Sequence, residues 1–192
     1  MVATTKAHYK LTNDMRVENF EQIKTENEKF VWTDKPNFLP FMASLIPVFI
    51  FAIIWGSFDF FFFIKPMLLG KEHSSSVDTF AIAFFGFHLI PVWIALISLF
   101  YQPLNHKKTF YALTDQRILI RSGVIGTDYK SYSLKSISDL NVNVGILDNA
   151  NNTGTISFCT GHFDSNGKAE KGKLIGIQKP YEIFKLIQQT IN

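Results

Sequence analysis

The chain has 192 residues, of which 47% are hydrophobic and 15% aromatic, with a formal net charge of +3. Its one cysteine, Cys159, excludes an intramolecular disulfide framework and suits a reducing compartment. The basic excess lies after residue 103, where eleven Lys/Arg stand against seven Asp/Glu. It forms no clustered stripe of Arg with stacking aromatics, so nucleic acid is not an expected partner.

Residues 1–27 are polar and carry no repeat. Asn13 is placed to cap a short helix in which Val17, Phe20 and Ile23 recur at three-residue intervals. That narrow apolar face would rest on a membrane surface or on a folded domain; a partly ordered leader is the alternative, because short isolated helices are marginal in water. Residues 30–33 read as a strand, ended by Asp34-Lys35-Pro36 because Pro cannot continue a ladder. Residues 1–37 are therefore read as a cytoplasmic leader with a short helix and a pre-membrane strand. No secretory-signal pattern precedes the next segment, which is expected to act as its own insertion signal.

Two apolar runs follow. Residues 38–64 carry one charged side chain, Asp59, and residues 79–101 carry none. At about 1.5 Å per helical residue either run is long enough to cross about 30 Å of hydrocarbon. The connection at 65–78 has the charges, Pro66 and Gly70 of a loop, so 38–103 reads as a transmembrane helical hairpin with spans 38–64 and 79–101. Helices that are apolar all round also occur inside large soluble proteins. A chain of 192 residues cannot wrap two of them, and 38–101 holds fourteen of the 20 Phe. Lys29, Lys35, Lys107, Lys108 and Arg117 flank the outer ends of the pair against Lys65 and Lys71 in the connection, which places both termini in the cytoplasm. Pro47 and Pro91 fall at similar depth and predict two kinks. Asp59 and His88 are the polar residues inside the spans. An ionisable residue there is a functional hypothesis by default, here as an interhelical pair, although Asp59 is also near enough to the outer end to snorkel.

From residue 109 the period changes to that of strands. Residues 109–113 and 117–121 are β-rich around a Thr114-Asp115 turn, and 127–133 follows after Gly126. Leu140, Val142, Val144 and Ile146 alternate with Asn141, Asn143 and Gly145, which predicts a half-buried strand. The run 149–154 predicts a hairpin loop into a strand at 155–160. A polar loop at 161–172 leads to a strand at 173–178. Pro180 opens a helix with Ile183, Ile187 and Ile191 at four-residue spacing. The pattern is that of a small antiparallel barrel or sandwich closed by one amphipathic helix.

Tyr111-Ala112-Leu113-Thr114-Asp115-Gln116-Arg117-Ile118-Leu119-Ile120, followed by Gly123, resembles the motif that opens the bacterial pleckstrin-homology-like (PH-like) domains of small membrane proteins with a two-helix hairpin. Leu134-Lys135-Ser136-Ile137, Gly154-Thr155-Ile156 and the final helix fit the same pattern, and Glu28-Lys29-Phe30-Val31-Trp32 with Pro36 resembles the stretch before the helices. The resemblance covers 28–191. It implies an α+β membrane protein in which 104–192 form a seven-stranded PH-like β-barrel capped by a C-terminal α-helix, with the strand near Val31 as a candidate to complete the sheet. It does not imply phosphoinositide binding, because only Arg117 and Arg121 lie near the first hairpin. Thr114, Asp115, Arg117 and Gly123 of the motif are read as structural, with an Asp115–Arg117 interaction holding the hairpin.

Candidate chemistry is sparse. His8, His73, His88, His106 and His162 are scattered and show no metal-ligand spacing. His162-Phe163-Asp164 near Cys159 invites a nucleophile reading, which the placement of Cys159 in a strand outweighs. There is no phosphate-cradling glycine loop and no Gly-x-Ser-x-Gly elbow. No catalytic residue, cofactor or metal is expected. The sequence points to a non-enzymatic, multi-pass, membrane-anchored PH-like module at the cytoplasmic face of a bacterial inner membrane, with membrane lipids and another membrane or cytoplasmic protein as partners. Lys168, Lys171 and Lys173 of the polar loop, and Lys107 and Lys108 after the second run, are the candidate contacts. The alternatives are an accessory or assembly subunit of a larger membrane complex and an unrecognised membrane enzyme or transporter. The sequence leaves the oligomeric state open.

Overall fold

The structure, a computed structural model, describes residues 17–69, 75–163, 167 and 169–191, apart from the side chains of 75–78, 81 and 82. Asn13, the expected helix cap, lies outside the described residues. Two compact units emerge: the described residues up to Phe41 together with Leu104 onward, and Met42–Pro103.

The first unit opens with a short helix, α1 (17–21), and strand β1 (Phe30–Asp34). After the helical segments come β2 (Phe110–Thr114), β3 (Arg117–Ser122), β4 (Asp128–Ser133), a 3-10 turn at Leu134–Ser136, and β5 (Ser138–Asn143). A later helix, called α7 because α2–α6 belong to the intervening chain, spans Ile146–Asn151. It is followed by β6 (Thr153–Phe163), β7 (Ala169–Gln178) and α8 (Pro180–Ile191). The strands form two antiparallel sheets, ordered β1-β2-β3-β4 and β5-β6-β7. The expected closed barrel is not what forms. β4 passes to β5 through the 3-10 turn, and in place of a ladder between β1 and β7, Asn37 N donates to Gly176 O at 2.8 Å.

The pre-membrane strand joins the first sheet, with Trp32 opposite Leu113 and Asp34 opposite Tyr111. β2 and β3 are apolar on both faces, as strands covered on both sides must be. Tyr111, Leu113, Ile118 and Ile120 face a core shared with Ile156, Phe158, Leu174, Ile177 and Ile187. Ala112 and Leu119, on the opposite face, are covered by Phe20 of α1, which is fully buried. Of the two supports considered for the α1 face, the folded domain is the one it meets.

Two local expectations are corrected. The run at 149–154 is no hairpin loop: residues 149–151 end α7, Asn152 caps it, and 153–154 open β6. Asp148 Oδ2 accepts from Gly145 N at 3.1 Å, Asn149 N donates to Gly145 O at 2.9 Å, and Asn152 ends the helix in a left-handed conformation (φ 52°). Ile146, the last residue of the alternating pattern, consequently stands 92% exposed. The polar loop at 161–172 is also mostly strand, with Phe163 opposite Ala169. The ladder continues across a register shift near Gly161, whose φ is 77°.

The intervening chain is helical: α2 (Phe38–Ala43), α3 (Ile46–Asp59), a π-helical turn at Phe60–Ile64, α4 (Lys65–Leu69), α5 (Ser75–His88) and α6 (Ile90–Lys108). Pro47 and Pro91 each occupy the second position of a helix, where a missing N–H costs least, whereas Pro66 lies inside a continuous helical run just after the π-helical turn. Among the described residues one helical stretch, Phe38–Leu69, is long and apolar enough to cross a membrane, with mean hydropathy 2.3 over an 18-residue window. The continuous second helix expected at 79–101 is instead two helices divided at Leu89, just before Pro91. Indole N–H groups take carbonyls next to this break: Trp93 Nε1 donates to Gly86 O and Trp55 Nε1 to His88 O, both at 3.1 Å.

A Cβ at Gly172 would fall on the ring of Phe158, which is 1% exposed, whereas one at Gly86 would meet nothing within 4 Å. Gly172→Ala is therefore expected to destabilise the first unit by about 1–3 kcal/mol, the usual cost of overpacking a filled core. Thermal unfolding followed by near-UV circular dichroism should show this loss, with Gly86→Ala leaving the midpoint in place.

Candidate functional site

The β2–β3 hairpin is built around Thr114. Its buried hydroxyl accepts from Gln116 N (3.2 Å) and Arg117 N (2.9 Å) and donates to Arg117 O (3.0 Å), closing the turn with the side chain. Gln116 O accepts from Leu134 N at 2.9 Å. Asp115 and Lys29 pair twice: Asp115 Oδ1 accepts from Lys29 N at 3.0 Å, and Asp115 N donates to Lys29 O at 3.1 Å. Arg117 reaches further. Its Nε donates to Glu28 Oε1 at 2.8 Å and its Nη2 to Glu28 Oε2 at 2.7 Å, a two-pronged ion pair, while Nη2 also reaches Ile23 O at 2.7 Å. Glu28 is fully inaccessible on its side chain and also accepts from the backbone and hydroxyl of Thr25. The Arg117 guanidinium, aided by those donors, holds the Glu28 carboxyl down to about 2 from 4.5 despite burial.

The expected Asp115–Arg117 pair is thus replaced by two clasps, Asp115 on Lys29 and Arg117 on Glu28. Nothing in the charge spacing of the sequence marks Glu28, in the stretch before the helices, as the partner of Arg117. A lone Glu at the head of a predicted strand, with one Arg in the facing hairpin, was the available signal. Around the hairpin and the β4–β5 turn lies a polar cavity of about 520 Å³, lined in part by Thr25, Gln116, Ser133, Lys135 and Thr190.

A second set of contacts gathers where the chain leaves and re-enters this unit. His106 is buried and its Nε2 lies 2.8 Å from Pro36 O. A carbonyl only accepts, so Nε2 carries the proton. Burial lowers the imidazole's tendency to charge, the Pro36 bond opposing this only in part, and the rings of Phe38 and Phe41 meet it edge-on at 5.1 and 5.3 Å. Gly123, at φ 114°, donates its N–H to Asn105 Oδ1 at 3.3 Å, and Lys108 Nζ donates to Val124 O at 2.9 Å. Lys107 is exposed beside it.

In the helical unit Asp59 is fully buried, and His88 Nε2 stands 3.4 Å from its Oδ1. Neither carboxylate oxygen receives a hydrogen bond among the described residues. The His88 ring lies against Phe84 at 5.0 Å and Trp55 at 5.1 Å.

The remaining candidates are separate. Lys171 and Lys173 are exposed on β7, opposite Cys159 and Ser157, and Lys168 lies outside the described residues. Cys159 is buried, His162 is exposed, and Asp164, His8 and His73 lie outside the described residues. Among the described residues no group of three or more His, Cys, Asp or Glu is placed to hold a metal.

Two antiparallel sheets enclosing one core, with a C-terminal amphipathic helix against the second sheet, make the first unit PH-like. Residues 41–190 match the family described as bacterial PH domain, and the chain belongs to that family. No curated protein and no solved structure matches it. The family match begins after β1, so the strand that completes the first sheet lies outside it.

The Glu28 carboxyl is depressed in the folded state, so its stabilisation is complete above the unfolded value of about 4.5 and is lost as pH falls toward 2. At roughly 1.4 kcal/mol per pH unit this amounts to about 3 kcal/mol. Glu28→Gln is expected to lower the unfolding midpoint at pH 7 and to flatten its dependence on pH between 4.5 and 2. Thermal melts of the full chain over that range provide the check. The pair replacement Glu28→Leu/Arg117→Met should be milder than either single change, because each single change strands a buried charge or donor.

Proposed function

We propose that the chain is a non-enzymatic interaction module anchored in a membrane, in which the helical unit forms a two-pass hairpin and the PH-like domain works at the cytoplasmic face. One observation carries this reading: the helical unit displays its apolar side chains. Ile53, Ile54, Phe62, Leu68, Phe87, Ile97 and Phe100 are each at least 65% exposed, on a segment whose first stretch has mean hydropathy 2.3. In water such a surface would drive aggregation; against acyl chains it has no cost. For the return crossing, α5 and α6 together supply the length, and the break between them is supported by the indole bonds of Trp55 and Trp93. Broken helices are tolerated at membrane depth where neighbouring groups take the freed carbonyls.

The cytoplasmic orientation follows from Lys29, Lys35, Lys107, Lys108 and Arg117 flanking the outer ends. PH-like domains generally serve interaction, and the side chains at the β2–β3 hairpin are engaged in holding structure. Lys107 and Lys108 stand at the end where the chain passes to the helices, suited to anionic headgroups. Lys171 and Lys173 lie on the exposed face of β7, open to a cytoplasmic protein. The Asp59–His88 pair serves to hold α3 and α5 together, a role consistent with interhelical polar contacts in membranes.

In a Cys159→Ser background, Ser75→Cys is expected to react with a membrane-impermeant maleimide in intact cells, and Gln188→Cys only after permeabilisation. The reverse pattern would invert the orientation. Release of the chain from membranes by alkaline carbonate would remove the spanning reading altogether.

A further inference from the structure

Strand direction divides the PH-like unit into two ends. β1 runs toward Pro36 and Asn37, and β2 starts just after Lys108, so the chain leaves and returns at one end. The ladders place the Ser122–Asp128 turn at that end of the first sheet. In the second sheet, Asn37 N on Gly176 O marks the corresponding end, where β5 finishes at Asn143 opposite Thr155 and β6 begins at Thr153 opposite Gln178. The β3–β4 turn and α7 both lie beyond this exit end. The Thr114–Arg117 turn, Lys135 and the paired Phe163 and Ala169 lie at the other.

The exit end carries three large apolar side chains that no packing explains. Ile125, at the tip of the β3–β4 turn, is 98% exposed; Ile146 and Leu147, at the start of α7, are 92% and 48% exposed. Both supports are held firmly. The β3–β4 turn is fixed by Asn105 on Gly123 and Lys108 on Val124. The α7 helix is tied by Asp148 to Gly145 and Thr153, and its last turn by Lys179 N on Asn152 O at 3.1 Å. Isoleucine at the apex of a rigid turn would otherwise sit in water, and here it does so at the end from which the apolar stretch departs.

We propose that Ile125, Ile146 and Leu147 dip into the headgroup–acyl boundary of the bilayer that the helices cross, seating the PH-like domain on the membrane at two points in addition to its covalent tethers. This rests on the spanning reading above. The occupant is lipid, because the chain enters its apolar stretch at Phe38, one residue after Asn37 at this same end, and a short tether keeps the surface within reach. Lys107, Lys108 and Lys35 add positive charge at this end, but Asp34 and Asp128 offset part of it, and the paired Lys179 and Glu182 cancel each other. The contact is therefore apolar first and depends little on salt. Lys171 and Lys173 take no part in it: their partners Cys159 and Ser157 lie toward the far end of the ladder.

The test uses the full chain in nanodiscs of phosphatidylethanolamine and phosphatidylglycerol, with single cysteines in a Cys159→Ser background carrying an environment-sensitive fluorophore. Lipids with a nitroxide near the headgroup serve as quencher for the sites on the PH-like unit, and lipids with a nitroxide on the acyl chain for Ile54. Labels at Ile125→Cys and Ile146→Cys are expected to be quenched about twofold or more, at low and high salt alike, as for side chains in the interfacial layer. Labels at Lys135→Cys and at Phe163→Cys, an equally apolar exposed site at the other end, should be unquenched. Quenching at Ile54→Cys reports the spanning helix. If Ile54 is quenched and Ile125 and Ile146 are not, the inference fails while the anchor stands, and a label shielded from water without lipid quenching would assign the tips to a protein partner. If Ile54 is unquenched, both fall. Equal quenching at Phe163 would overturn the two-ended assignment.

Discussion

The ion pair between Arg117 and Glu28 joins two parts of the chain that lie on opposite sides of the helical unit in sequence. Without it, the segment from residue 17 to β1 would be held by the ladder of one edge strand, the Asp115–Lys29 bonds, the contact of Phe20, and the hydrogen bonds of Tyr129 and Arg121 to Asn19. With it, β2 and β3 are covered on both faces, and the Thr114–Arg117 turn acquires a use for each of its residues: Thr114 closes the hairpin, Asp115 and Arg117 grip the incoming strand, and Gln116 receives the β4–β5 turn. A buried pair of this kind is weak support for raw stability. Its geometry, two parallel N–H···O bonds plus a carbonyl, instead specifies which segment docks and in what register.

Most of the strands were legible because half-burial leaves a period-two signature, and α8 because its apolar residues recur at helical spacing. The boundaries that failed share a cause. At 146–151 the alternation of apolar and polar residues ran on into a helix whose start is set by Asp148 capping Gly145, a local side-chain effect that hydrophobic period does not register. At 161–172 glycines and charges read as loop, because strand ends in which Phe163 is the one large apolar side chain carry too little alternation to distinguish strand from turn. Whether the sheets close into a barrel depends on pairing between distant strands, which composition and period do not encode.

The site was legible in part. The motif at 114–117 could be picked out, but its partner could not be deduced from charge spacing, because Glu28 and Arg117 are brought together only once β1 has taken its place beside β2. Asp59 and His88 could be paired in advance, since within two apolar runs they are the polar residues at comparable depth. The lysines of the polar loop were prominent by charge density, whereas Ile125, in the Val124-Ile125 pair between Gly123 and Gly126, carried no weight until its turn was seen to stand at the exit end of the fold.

Because β1 and β2 are neighbours in the sheet but lie on either side of the helices in the chain, the order of synthesis is built into the architecture. The strand from Phe30 to Asp34 emerges first and must wait, an unpaired edge, while everything up to Phe110 is made. The loop between them is long, so its closure is entropically slow unless the helices bring their own ends together first. The helical unit then acts as a template: its completion delivers the two strands side by side, and the domain inherits the order of assembly from the segment inserted into it.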